Sequence, residues 1–140
     1  MQVSEAMSDV VVTVGPEHTL HDAARKMSES GVGAAVVLDP EMPGAGIITE
    51  RDISNSVGDG ENPGEERVSG HMASSVVYAE AGWSLEKAAE TMVANGFRHL
   101  VVLSGSQTAG VISMRDIVRA WVSDGATCDL PAVDAGSVPA

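Results

Sequence analysis

The chain is poor in cysteine, in aromatics and in positive charge. Cys128 is the only cysteine among 140 residues. One thiol makes no internal disulfide and supplies no paired-Cys zinc site. Nothing near Cys128 would lower its pKa, so a reactive thiol is not expected. Phe, Tyr and Trp together make up 3% of the residues. With 44% of residues hydrophobic, the core must then be built from Val, Ala, Leu, Ile and Met. Eight Lys and Arg face twenty Asp and Glu, giving a net charge of −12. The basic residues are scattered, with no run that could neutralise phosphates, which argues against nucleic acid and anionic membranes as partners. No apolar run approaches the roughly 20 residues of a membrane span. The N-terminus lacks a basic segment followed by an apolar one, so no secretory signal is expected. A soluble, cytoplasmic protein of about one domain is the expectation. The sequence also lacks a nucleophile–base pair, a Walker loop and a Gly-rich dinucleotide turn, so catalysis is not expected.

What is present is a repeat. "VSEAM" (3–7) falls on "VSGHM" (68–72), and "TLHDAARKMSESGVGAAVVL" (19–38) on "SLEKAAETMVANGFRHLVVL" (84–103). "AGIITERDI" (45–53) then falls on "AGVISMRDI" (109–117) after a one-residue gap in a turn. The register holds along nearly the whole unit, as it does in repeat architectures. The boundaries read as repeat 1 over 3–58, a linker over 59–67, repeat 2 over 68–124, and a mobile tail over 125–140.

Each copy predicts an α/β unit of order β-α-β-β-α. "VVVTV" (10–14) and "SVVYA" (75–79) are short β-branched strands. Thr19 caps a helix whose apolar stripe is Leu20, Ala23, Ala24 and Met27, and Gly31 stops it. Ser84, Leu85, Ala88, Ala89, Met92 and Gly96 repeat that pattern. "AAVVL" (34–38) and "AGIIT" (45–49) are apolar without alternation, as strands buried on both faces are. A last helix follows each, with an inner stripe of Ile53 and Val57 in copy one and of Ile117, Val118, Trp121 and Val122 in copy two. Met7, Met27, Met72 and Met92 occupy equivalent positions and read as core filler. A half-unit of about 60 residues is marginal alone, so two copies should pack about a pseudo-twofold axis.

The tandem β-α-β-β-α units, each with a strand ending in G-h-h-[ST]-x-x-D-h, resemble the CBS domain pair, or Bateman module. The matching residues are Gly46, Ile47, Ile48, Thr49, Asp52 and Ile53, then Gly110, Val111, Ile112, Ser113, Asp116 and Ile117. "RHLVVL" (98–103) resembles the family's second-strand entry. Val36 and Val101 stand where the family often has Pro. The resemblance covers roughly residues 3–122. It implies a stand-alone, non-catalytic regulatory module, with no obligatory cofactor. Such a module would bind an adenosine-containing ligand between the repeats, an adenosine nucleotide such as AMP, ADP or ATP, or S-adenosylmethionine. A homodimer and an unidentified regulated protein are the implied macromolecular partners.

The motif suits such a ligand physically. Thr49 and Ser113 end strands and open helices, whose first N–H groups lack partners and favour an anion. Asp52 and Asp116 lie one turn on, and a carboxylate can accept both hydroxyls of a ribose. Arg51 and Arg115 could reach a phosphate. The same T-x-x-D spacing is equally a plain capping arrangement, and both readings stay open. By the resemblance, one cleft would use Thr13, Val32, Ala34, Arg98, Ser113 and Asp116. The other would use Tyr78, Phe97, His99, Thr49, Arg51 and Asp52. Gly33 opposite Arg98 should make the two unequal. His18 and His21 lack a third ligand beside them and His71 sits in the linker, so no metal set is expected. The alternative function is a ligand-free scaffold that uses the same fold to dimerise or to hold a partner; a small enzyme using Asp52 or Asp116 as base is a third.

Overall fold

The structure is a computed structural model that describes residues 1–9, 11–41, 45–73 and 76–124. The expected tail at 125–140, with Cys128, lies outside these residues, as do Val10 and Ser75 at the starts of the two predicted first strands. In chain order the elements are α1 (Val3–Ala6), β1 (Thr13–Val14), α2 (Leu20–Ser30), β2 (Ala34–Val37), β3 (Gly46–Thr49) and α3 (Glu50–Gly58). A 3-10 turn (Val68–Gly70) follows, then β4 (Tyr78–Glu80), α4 (Leu85–Asn95), β5 (His99–Ser104), β6 (Gln107–Ser113) and α5 (Met114–Ser123).

The first long helix of each copy starts and stops where local chemistry dictates. Thr19 Oγ1 accepts the Asp22 N–H, and Asp22 Oδ2 accepts the Thr19 N–H, both at 3.1 Å. Those bonds from Thr19 hold the Asp22 carboxyl below its ordinary range. Ser84 Oγ accepts the Lys87 N–H at 3.1 Å; Lys at that position has no acceptor to return the bond. Gly31 (φ 66°) and Gly96 (φ 69°) end the helices in the left-handed conformation that glycine adopts without strain.

Each copy forms a three-stranded sheet, in the orders β1-β2-β3 and β4-β5-β6. The first pair in each is parallel, joined by the helix, and the second is antiparallel. Alternation within the strands builds three cores. Ala35, Val37 and Ile48 face Leu20 and Met27 on the helical side of the first sheet. Leu100, Val102 and Ile112 face Leu85 and Met92 on that of the second. The intervening residues Ala34, Val36 and Ile47 turn the other way and meet Val101, with Val76 and Val111 beside them. The two sheets thus pack on each other, which is why their strands carry no polar face. Tyr78 ties the seam further, because its hydroxyl donates to the Ala45 carbonyl and accepts the Ala45 N–H, both at 3.3 Å.

The segments that open the two copies are exchanged. Val3 lies in the core of the second sheet, and its N–H donates to the Trp83 carbonyl at 2.8 Å. Val68 lies in the core of the first, and its N–H donates to the His18 carbonyl at 2.8 Å. Ser8 bridges Val111, and Ala73 bridges Ile47. These crossings explain the glycine of the repeated motif. A Cβ on Gly46 would meet the Ala73 carbonyl oxygen at 3.1 Å, and one on Gly110 would collide with that of Ser8.

The helical stripes need correction at three positions. Ile117 is buried, but Val118, Val122 and Val57 are 51%, 75% and 52% exposed. In α3 the inward position falls instead to Ser56, which is buried and donates to Glu61 Oε1 at 3.1 Å. In α5 the apolar residues Met114, Ile117, Val118, Trp121 and Val122 exceed what one buried face of a short helix can hold.

The exchange makes a prediction. Gly110→Ala should destabilise the fold by about 1–3 kcal/mol, because the obstacle is backbone. Gly58→Ala, at a helical glycine with open space around it, should be neutral or stabilising. Thermal denaturation of the two variants checks this; equal melting temperatures would contradict it.

Candidate functional site

The seam brings the strand entry of each copy against the helix start of the other, leaving two clefts. The smaller, of about 240 Å³, is lined by Thr49, Glu50, Arg51 and Asp52 from the first copy and by Phe97, Arg98 and His99 from the second. Ile47, Ala73, Val76 and Val77 give it an apolar wall. The larger, of about 650 Å³, is lined by Val32, Gly33 and Ala34 from the first copy and by Arg98, Ser113, Arg115, Asp116 and Arg119 from the second.

Eleven of the thirteen residues expected at a ligand therefore line one cleft or the other. Thr13 and Tyr78 line neither. Thr13 sits in β1 opposite Val36, and its carbonyl accepts Lys26 Nζ at 3.2 Å. Tyr78 is the strut across the seam already described. Glu50 and Arg119 line clefts without having been singled out. Glu50 holds the place of Met114 in the other copy, so the repeat concealed it. Arg119 lies four residues, about one turn, beyond Arg115, a helical spacing that could have flagged it.

The helix starts are built alike. Thr49 N–H and Oγ1–H donate to Asp52 Oδ2 at 2.9 and 3.0 Å, and the Asp52 N–H returns a bond to Thr49 Oγ1 at 3.3 Å. Ser113 N–H donates to Asp116 Oδ2 at 2.8 Å, and Asp116 N–H to Ser113 Oγ at 3.0 Å. The first helical N–H groups bond the strand entry of their own copy, from Glu50 to the Gly33 carbonyl at 3.0 Å and from Met114 to the Arg98 carbonyl at 2.8 Å. Capping is thus real in both copies. It fixes each aspartate through Oδ2, and among the described residues Oδ1 accepts no hydrogen bond. A held carboxylate with one free oxygen, beside an arginine, can accept from hydroxyls of a ligand.

His99 lies between the clefts. Burial pushes its pKa below 6.5, assisted by Arg98 and Arg115 and opposed by Glu50 and Asp116. The shift favours its neutral form and so reduces the positive charge it brings to the clefts. Away from the clefts, donor atoms of Glu61, Glu66 and His71 lie within 4.8 Å of one another. His71 Nε2 is 3.0 Å from Glu66 Oε1 and 4.0 Å from Glu61 Oε1. A hydrogen bond between the two carboxyls pushes Glu61 up and Glu66 down. The histidines alone show no such grouping in the sequence, because two of its three donors are glutamates of the linker.

The His99 shift has a sign that can be checked. Protonation favours the unfolded chain, whose histidine titrates at about 6.5. Stability is therefore intact above that value and falls as pH drops through it toward the lower folded value. The His99 imidazole followed by NMR should titrate below 6.5, and a midpoint above 6.5 would contradict its burial between the clefts.

The family model of the CBS domain matches residues 3–59 and 67–123. An uncharacterised 17.7 kDa protein of Acidianus ambivalens is 34% identical over 122 residues, covering 85% of this chain and 72% of that one. The chain spans between 43 and 72% of the lengths of three curated relatives it matches. A protein with CBS domains from Burkholderia ambifaria, described as a signal-transduction protein, superposes with a TM-score of 0.82 at 28% identity, covering 93% of this chain and all of that one. A CBS domain pair solved with 5′-methylthioadenosine and S-adenosyl-L-methionine has a TM-score of 0.78 at 18% identity, covering 89% of this chain and 98% of that one; at that identity it speaks for the fold. Two matched copies, two sheets and two clefts agree: the chain belongs to the CBS domain family, as a tandem pair.

Proposed function

We propose that this chain is a regulatory, non-catalytic module that senses an adenosine-containing nucleotide in the clefts between its repeats. One observation carries the reading: each cleft joins the strand entry of one copy to the [ST]-x-x-D helix start of the other. A ligand held there touches both copies and can favour one packing of the repeats over another, which is how a binding event becomes a signal. Ribose hydroxyls would donate to Asp52 or Asp116, and phosphate would meet Arg51 or Arg115. The base would lie on Val32 and Ala34 in one cleft and on Phe97 and His99 in the other. The related fold bound to methylthioadenosine and S-adenosylmethionine supports this class of ligand.

Calorimetry with AMP, ADP, ATP and S-adenosylmethionine tests the reading, with binding of at least one expected. Asp116→Asn keeps an oxygen for the cap but removes the charged acceptor. It should weaken a ligand of the larger cleft about tenfold or more, since hydrogen bonds to a charged group are the strong ones. No heat and no thermal shift with any of the four would favour the scaffold instead. Affinity unchanged in Asp116→Asn would refute the ribose assignment.

A homodimer belongs to the same proposal and rests on a difference between the copies. Val93, Val118 and Val122 are exposed on α4 and α5, where the first copy has Ser28, Ser54 and Gly58. A second chain covering that face would remove this apolar surface from water. Solution mass by light scattering should be that of a dimer, and Val118→Asp with Val122→Asp should give a monomer. An unchanged mass in the double variant would place the contact elsewhere.

A further inference from the structure

The two clefts share a wall. Glu50, Arg98 and His99 line both. The wall is crowded on the first copy's side: a Cβ on Gly33 would stand 3.0 Å from Glu50 Oε1 and 3.3 Å from His99 Nε2. The position that carries Arg98 in one strand entry therefore carries no side chain in the other. Arg98 serves both clefts, and it has no counterpart.

The clefts also differ in charge. Besides Arg98, the larger has Arg115 and Arg119 against the acids Glu50 and Asp116. The smaller has only Arg51 in addition, against Glu50 and Asp52, and its wall of Ile47, Val76 and Val77 is apolar. In a chain of net charge −12, three arginines in one hollow form a local reversal of the surrounding field. A phosphate group calls for such a cluster, and a guanidinium engages one phosphate at a time as a bidentate partner.

We infer that the larger cleft is the phosphate site of this chain, and that a phosphate-bearing ligand there holds Arg98 and so weakens binding of a second such ligand in the smaller cleft. The smaller cleft then suits a nucleoside without phosphate. The inference rests on the nucleotide reading above and adds which cleft takes which ligand, and how each affects the other.

Calorimetry of the full chain with ADP and with adenosine, in wild type and Arg119→Ala, tests it. Arg119 is exposed and lines only the larger cleft, so the substitution spares the fold and the smaller cleft. ADP should bind in two unequal steps, or in one only, with the second at least about tenfold weaker. Arg119→Ala should weaken the stronger ADP step about tenfold and leave adenosine within about twofold. Two equal ADP sites, or an Arg119→Ala that changes neither ligand or both alike, would overturn the inference while nucleotide binding stands. No heat from either ligand would overturn the inference, and the nucleotide reading falls with it only if AMP, ATP and S-adenosylmethionine also give none.

Discussion

The packing of one sheet on the other is the interaction on which everything else in this molecule depends. Val36 and Val101 are each about 1% exposed or less, and both sit in the core shared by the two sheets. A buried valine contributes about 1.5–3 kcal/mol, and neither sheet could leave that face in water. The same contact decides where the clefts are. It sets the entries of β2 and β5 against the starts of α5 and α3, so cleft walls come from both copies. The two clefts arise from the closure of two half-units, and each takes its walls from both.

The repeated motif performs several tasks with few residues. Its glycine lets the exchanged N-terminal segment of the opposite copy pass close to the strand. Its hydroxyl residue ends a strand and caps a helix. Its aspartate completes the cap with one oxygen and keeps the other unbonded among the described residues. Structural capping and ligand binding were posed as alternatives at the level of sequence. The geometry makes them compatible, because the cap is what holds the carboxylate still. Asymmetry enters where the copies diverge, at Gly33 against Arg98, at Glu50 against Met114, and at Ser54 against Val118.

Much of this was legible in the sequence because local signals and repeat register agreed. Thr19, Gly31, Ser84 and Gly96 bound their helices as their chemistry requires. The unbroken apolar run Ala34–Val37 is buried on both faces. The exchange of α1 and the 3-10 turn was not legible, because a segment's own residues do not say which copy it joins. Val57, Val118 and Val122 are exposed although they fit the inner stripes, since apolar periodicity does not distinguish a buried face from an exposed one. Thr13 and Tyr78 were placed by resemblance, and strand pairing and the Ala45 contact engage them outside the cleft linings. Glu50 and Arg119 escaped because they break the repeat and were sought only within it.

The most direct test of the account is a crystal structure of the chain grown with ADP. Density for the nucleotide should lie between the repeats in the larger cleft, with the ribose on Asp116 and the phosphates among Arg98, Arg115 and Arg119. Nucleotide bound on an outer helical face, or repeats folded apart with no shared hollow, would contradict it.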